Sequence, residues 1–343
     1  MKRSGQLVIG LAVTALALAY TVRNVSWPEL RASFATVEAE YLAATTALMI
    51  LTYAARTFRW HTLVNPIQPV RVLALVSPMM VGFLAGVLPA RAGEFVRAYL
   101  LGKSQKLSFA SAFATIVVER MFDMAALLLM LAWLLVFHAE LFDSATAWSG
   151  LSVRDLAFNF GIVSLAGVGA LGLFIYLLAF RRETALNLVR WMIRPLPERW
   201  GYRVIQLVDT FGQGLDVLRR PAALVQISLA TGLVWFLIVA AYYPLFFAYH
   251  LSNTSVPALV LLTLMICILI TVAPTPAFLG SFNVGVLIAL HGILKEPEVA
   301  AVSFGFVAWG LNFLVVLVGG LYFTLHDHIS LKQIAELEKE AEG

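Results

Sequence analysis

Six ionisable side chains stand where an apolar sequence should carry none. Arg91, Glu94 and Arg97 interrupt one long hydrophobic stretch, and Glu119, Arg120 and Asp123 interrupt the next. On helices, Arg91 and Glu94, Glu94 and Arg97, and Arg120 and Asp123 are each three residues apart, while Glu119 and Asp123 are four apart, so each set has acid–base neighbours on one face. A charge at the centre of a spanning helix costs at least about 2.5–3.5 kcal/mol. Three positive and three negative groups can neutralise one another only if the two segments touch. Arginine's planar fork takes two phosphate oxygens at once, which suits Arg91, Arg97 and Arg120 to an anionic headgroup. Glu94, Glu119 and Asp123 are then placed to balance charge or relay a proton. The opposing reading makes all six an ion network that locks one segment to the other. Such a staple is costly to bury and often replaceable by apolar packing, and ionisable groups at membrane depth mark function by default.

The elements that must position these residues are membrane spans. Hydrophobic residues make up 61% of the 343 and charged residues 13%, with a mean hydropathy of +0.86, whereas soluble domains carry roughly a quarter charged residues. The formal net charge of +4 does not point to nucleic acid, because the basic residues lie between apolar runs. One cysteine, Cys267, excludes an internal disulfide and a thiolate metal site, and His61, His138, His250, His291, His326 and His328 are scattered at span ends and in the tail with no metal-ligand spacing except the exposed His326 and His328 pair. No metal and no cofactor is expected.

A span needs about 20 mainly apolar residues. That length picks out six simple spans, near 5–22, 41–58, 108–137, 156–180, 222–249 and 299–325. The first follows Lys2 and Arg3 and fits either a cleaved signal peptide or, the favoured reading, a retained signal anchor. Two further segments, 72–102 and 257–292, are too long for one span and broken at the centre. Pro89 and Gly93 mark the first break, and Pro274, Pro276 and Gly280 the second. Broken backbone at membrane depth is tolerated where it is buried in protein or lines a wet cavity, so both read as re-entrant helical hairpins. The second hairpin carries no charge. Thr271, Thr275, Ser281 and Asn283, with Asn312 in the last span, either line a polar path or satisfy the broken backbone alone.

The positive-inside rule threads these pieces. With the hairpins entering from opposite faces, the cytoplasmic loops hold most basic residues, Arg56 and Arg59 among them, and the outside loops keep Arg23, Arg31, Arg154 and Lys295. The expected fold is therefore all-α and polytopic: one transmembrane domain over 1–343, with about six full spans and two hairpins arranged as an inverted repeat. The first repeat covers 1–137 and the second 156–325, followed by a cytoplasmic tail at 326–343. Both termini are cytoplasmic, in a bacterial inner membrane. Pro89-Ala90-x-x-Gly93-x-Phe95 and Pro276-Ala277-x-x-Gly280-x-Phe282 occupy matching places in the two halves, and paired broken segments of this kind point to a transporter site near the midplane. Within the insertion 181–220, Val204, Val208, Phe211, Leu215 and Leu218 form one apolar stripe. That stripe fits either the membrane surface or the ends of the spans.

The run Leu88-Pro89-Ala90-Arg91-Ala92-Gly93-Glu94-Phe95-Val96-Arg97-Ala98, then Ala114 to Asp123, with Arg56, Arg59 and Trp60 at the end of the second span, resembles the signature of the lysylphosphatidylglycerol synthase transmembrane region, or flippase-like, family. The resemblance implies an eight-element membrane domain like the flippase half of the multiple peptide resistance factors, which move aminoacylated phosphatidylglycerol between leaflets. The chain departs from the family at the second hairpin. Relatives typically show Pro-Gly-Gly-x-Gly and a glutamate three residues on, where this chain has Ala277, Phe278 and Asn283. The spans use up its length, so no aminoacyl-transferase domain and no catalytic residue is expected.

Three functions follow as expectations. The leading one is a lipid transporter for an anionic phospholipid or a polyprenyl-phosphate-linked sugar. The second is a membrane glycosyltransferase or its partner, with Glu38 and Glu40 as its candidate carboxylates, and the third is an assembly factor for a lipid-synthesis complex. Expected partners are membrane lipids and, for the last two, lipid-synthesis enzymes.

Overall fold

Inside a bilayer the backbone finds no water to bond, so apolar runs of sufficient length become helices. The computed structural model describes residues 3–87, 93–143, 153–194, 198–213, 215–273 and 275–329, and no strand occurs among them. Arg91, Pro89 and Pro274, each singled out above, lie outside the described residues. The first half contains α1 (Arg3–Val22), α2 (Trp27–Ala35), α3 (Ala39–Val64), α4 (Val76–Val87), α5 (Gly93–Gln105), α6 (Phe109–Phe137), the short α7 (Glu140–Asp143) and α8 (Val153–Phe180). The insertion supplies α9 (Arg182–Met192) and α10 (Glu198–Gln213). The second half contains α11 (Pro221–Ala241), α12 (Tyr243–Ala248), α13 (Val256–Val272), α14 (Leu279–Leu287), which runs into a π-helical turn at Ile288–Ile293, and α15 (Glu298–His326).

Among the described residues, Phe109–Phe137, Phe158–Phe180, Pro221–Ala248, Pro276–Ile293 and Glu298–His326 are long and apolar enough to cross a membrane. The α2–α3 pair, bent by 80°, makes a sixth. The chain is a multi-pass α-helical membrane protein. Two expected boundaries differ. The later arm of the second hairpin is as long as a full span, because its 3₁₀ turn, α14 and π-helical turn run on without a gap. The second span does not end near residue 58. It continues to Val64, burying Trp60, Leu63 and Val64 completely, and Arg56 and Arg59, expected in a loop, are helical residues within α3. Counting charges assigns an arginine to the loop whenever its partner carboxylates are distant in sequence.

Small residues set the first hairpin. A Cβ added to Gly93 would lie 2.3 Å from the Gly82 carbonyl oxygen and 2.9 Å from the Gly86 Cα, so the backbones of α4 and α5 are in contact there. Gly82 also leaves room for the Arg97 stem, whose Cγ would sit 2.0 Å from any Cβ at that position. Gly319 and Gly320 of α15 open a matching groove for Met80 and Leu84 of α4. The second hairpin closes in the same manner, Gly285 of α14 lying against the backbone of Met265 and Ile266 in α13.

Between α13 and α14 the chain turns through Ala277 (φ 53°) and Phe278 (φ 59°), two consecutive left-handed residues with side chains. Each costs roughly 1–2 kcal/mol relative to a right-handed conformation. The Trp309 indole N–H holds the turn by donating to the Ala277 carbonyl at 2.9 Å, and the Thr275 hydroxyl meets Ser281 at 3.1 Å. These two positions are where the resemblance leads to an expectation of glycine, the residue that takes this geometry without strain. Ala277→Gly is therefore expected to stabilise the protein by about 1 kcal/mol, read as a higher melting temperature in detergent.

The insertion docks on the protein. Val208, Phe211, Leu215 and Leu218 pack into the same core as Ile175 and Leu178 of α8 and Ala112 of α6. The Ser111 hydroxyl donates to the Thr210 carbonyl at 3.3 Å, and Arg182 pairs with Asp209 at 2.6 Å. The stripe thus finds its apolar partner in the span ends. Asp209→Asn should cost under about 1 kcal/mol, as half-exposed pairs do, measurable as a small drop in thermal stability with no loss of expression.

Candidate functional site

Four helices converge on the intramembrane charges. α5 follows directly on the glycine contact of the first hairpin and carries Glu94 and Arg97. α6 is capped at its start by Ser108, whose hydroxyl accepts the Ser111 N–H; from there Glu119 lies about 16 Å along at 1.5 Å per residue, near the middle of a ~30 Å hydrocarbon core. α3 contributes Arg56, Arg59 and Trp60, and α11 contributes Thr231 and Trp235.

Glu119 sits at the centre and is fully buried. Its Oε1 accepts from Arg120 at 2.6 Å and lies 3.1 Å from Arg59, while Oε2 accepts from Arg97 Nη2 at 3.0 Å. Asp123 is held by Arg59 at 2.5 and 3.2 Å and by Arg120 at 3.2 Å. The Trp235 indole N–H donates to Asp123 at 3.2 Å. Arg59 also donates to the Thr231 hydroxyl at 3.4 Å. Arg120 closes the ring by reaching Glu94 at 3.4 Å. Arg97 is buried with its guanidinium 4.3 Å from the centre of the Trp60 ring, and Trp60 in turn donates to the Thr115 hydroxyl at 3.0 Å. Such a cation–π contact adds to the ion pair in a dry site.

Five of the six charges singled out in the sequence are therefore in one cluster: Glu94, Arg97, Glu119, Arg120 and Asp123. The hairpin and the following span do touch. The centre is closed, whereas the Arg120 and Glu94 side chains are 37% and 44% exposed, so the network opens on that side. What the sequence missed is Arg59, fully buried and shared between both α6 carboxylates, together with its α11 neighbours. Arg56 and Arg59 lie three apart on a helix face that also buries Thr45, Met49 and Thr52. That continuing face was a readable signal that the arginines point inward. Trp235 and Thr231 had none, being more than a hundred residues away from the groups they touch.

The second-half polar residues divide. Asn312 joins the first half, its Oδ1 accepting from the Tyr53 hydroxyl of α3 at 3.0 Å. Ser281 and Asn283 stay within their own hairpin. Ser281 bonds Thr275, and Asn283 donates to the Leu279 carbonyl at 2.7 Å with its Oδ1 buried and unpartnered against Gly305. Pro276 begins the 3₁₀ turn, and Gly280 allows close approach to Thr14 and Ala17 of α1. Among the described residues no cluster of three or more His, Cys, Asp or Glu could hold a metal ion.

Comparison with known proteins adds a lineage to this geometry. Over 97% of its length the chain is 24% identical to the "Glycosyltransferase AglD" of Haloferax volcanii, of which it spans 56%, so it corresponds to little more than half of that protein. It is 26% identical to a "UPF0104 membrane protein" of Methanothermobacter thermautotrophicus, over 88% of this chain and 90% of the other. Residues 7–326 match the family described as "Lysylphosphatidylglycerol synthase TM region". That match takes in α3, both hairpins, the whole charge cluster and α15, and on it the chain belongs to the lysylphosphatidylglycerol synthase transmembrane region family.

Proposed function

We propose that this protein binds an anionic lipid headgroup and carries it between leaflets of a bacterial cytoplasmic membrane. One observation carries the reading: a cluster of arginines and carboxylates is buried beside a broken hairpin and holds more positive charge than negative. Among the described residues Arg59, Arg97 and Arg120 pair with Glu94, Glu119 and Asp123 and Arg56 faces Asp123 from farther off, four cations against three anions. In low dielectric that surplus favours an anion. The partly open Arg120–Glu94 side offers it a way in, and Arg97 keeps a buried Nε without a hydrogen-bond partner. The carboxylates hold the arginines apart and balance them.

The hairpin pairs support transport. α4 and α5 fold back on one another ahead of α6, α13 and α14 do the same ahead of α15, and α3 packs along α11. We read this as two repeats of opposite orientation with termini in the cytoplasm, the hairpins gating opposite leaflets. Protein reconstituted in liposomes with headgroup-labelled phosphatidylglycerol or phosphatidylcholine tests it. Transfer of the anionic lipid well above that of the zwitterionic one is expected. Equal, background-level transfer of both, with and without a proton gradient, overturns the reading.

A second reading, participation in lipid-linked glycan synthesis, is favoured by the name of the Haloferax volcanii relative. Its candidate carboxylates, Glu38 and Glu40, are exposed at the start of α3, about 30 Å along that helix from Arg59 at 1.5 Å per residue. Glu38→Gln with Glu40→Gln should abolish sugar transfer if they act in it; unchanged transfer removes them.

A further inference from the structure

One guanidinium stands apart from the ion network. Arg59, Arg97 and Arg120 each contact a carboxylate, whereas among the described residues no carboxylate pairs with Arg56. Its Nε is closed off and has no hydrogen-bond partner. Arg56 lies one turn before Arg59 and Trp60 on α3, its guanidinium 5.3 Å from the centre of the Phe83 ring of α4. The Arg97 guanidinium lies 5.8 Å from the same ring.

Among the described residues no carboxylate comes within ion-pair distance of Arg56, and Asp123, which faces it from farther off, is already paired with Arg59 and Arg120. Tyr53, three residues earlier, meets Phe83 edge-on at 5.1 Å, and its hydroxyl donates a hydrogen bond to Asn312 Oδ1. With that oxygen engaged, the Asn312 amide nitrogen remains as a donor that makes no hydrogen bond among the described residues. Tyr53, Arg56, Phe83 and Asn312 are each only partly covered, so they border accessible space where α3, α4 and α15 meet. The guanidinium beside Phe83 and the amide N–H₂ held by Tyr53, with the two rings in contact, are donors suited to a phosphate group. Arg56 has no carboxylate of its own, since Asp123 is shared with Arg59 and Arg120, and an anion can complete its charge balance.

We propose that Arg56, with the Asn312 amide, is the direct phosphate contact, and that the paired Arg59, Arg97 and Arg120 support this station from behind. The inference rests on the anionic-headgroup reading and names the contact within it. It also places that contact where the first hairpin meets the last span, so that the headgroup is touched by both halves of the chain at once.

The test uses full-length protein in nanodiscs of phosphatidylcholine alone, of phosphatidylcholine with phosphatidylglycerol, and of phosphatidylcholine with inorganic phosphate in the buffer. Melting temperature and phosphatidylglycerol bound per protein are read for wild type, Arg56→Gln and Arg56→Lys. A ligand that binds only the folded state raises its stability, so phosphatidylglycerol should raise the wild-type melting temperature. Arg56→Gln should abolish that rise and weaken binding about tenfold or more, as loss of a charge-assisted bond does, and Arg56→Lys should keep part of it. In phosphatidylcholine alone Arg56→Gln should melt no lower than wild type, since it removes a cation that has no ion-pair partner of its own.

A full phosphatidylglycerol response in Arg56→Gln overturns the assignment, and so does a large loss of stability of that variant without any anion. A wild type that responds to inorganic phosphate but not to phosphatidylglycerol overturns the lipid as source of the phosphate. A wild type that responds to neither refutes the anionic-headgroup reading itself, a result distinct from failure of Arg56 alone.

Discussion

Glu119→Leu is expected to be the most damaging single substitution in the protein, costing about 3–5 kcal/mol as removal of one partner from a buried ion pair does. Glu119 is fully buried and touches three guanidiniums. Arg59 retains Asp123 after its loss, and Arg120 retains Asp123 and Glu94. Arg97 retains only the Trp60 and Phe83 rings. The cluster then holds four cations against two anions. Yield in membranes and the melting temperature in detergent should both fall sharply. Arg97→Leu added to Glu119→Leu restores the charge balance and replaces the pair with apolar volume, which is often neutral or stabilising. The double variant should therefore recover most of the lost stability, and a double-mutant cycle over the four proteins reads the coupling directly.

The second large effect belongs to the backbone. Gly93→Ala places a methyl 2.3 Å from the Gly82 carbonyl oxygen and 2.9 Å from Gly86 backbone atoms, none of which can rotate away. Overpacking of this kind costs about 1–3 kcal/mol, occasionally more. Here the hairpin must open, and α5 carries Arg97 with it, away from Glu119 and Trp60. Loss of stability should come with a change in tryptophan emission as Trp60 loses its cation. Gly86→Ala is the control, because its Cβ comes no nearer than 3.9 Å to Gly93, and it should behave as wild type.

These expectations show what the amino-acid sequence could and could not convey. The helical character was readable from the apolar runs, because a bilayer allows few other solutions. The charges of α5 and α6 were readable because they interrupt otherwise apolar runs. Arg59 was hidden by its place near the end of α3 beside Arg56, where a basic pair looks like a topology signal; only contact with α6 shows it to be interior. Trp235 and Thr231 could not have been found at all, since an aromatic and a hydroxyl residue in an apolar span are ordinary packing until a distant carboxylate meets them. The docked insertion was undecided for a similar reason. An amphipathic stripe records that an apolar partner exists, and membrane and span ends are equally apolar.

The second hairpin gives the converse case. Ala277 and Phe278 stood out in sequence as departures from a glycine pair, and both adopt the left-handed backbone such a pair would take without strain. The departure is therefore stored as local strain rather than avoided by a different turn. Asn283, in place of an acid, keeps a buried oxygen without a partner. The first half thus holds the charge and the second half the strained turn.

Leaflet transfer of phosphatidylglycerol by the Arg97→Leu/Glu119→Leu protein tests most directly whether the buried cluster works on lipid or only fastens α5 to α6. The double variant keeps the net charge and is expected to fold, so its activity reports on function rather than on assembly. If the cluster handles a headgroup, liposomes bearing this folded variant transfer the lipid no faster than empty ones. Transfer at the wild-type rate would show that the ion network is a fastening and that the headgroup is bound elsewhere.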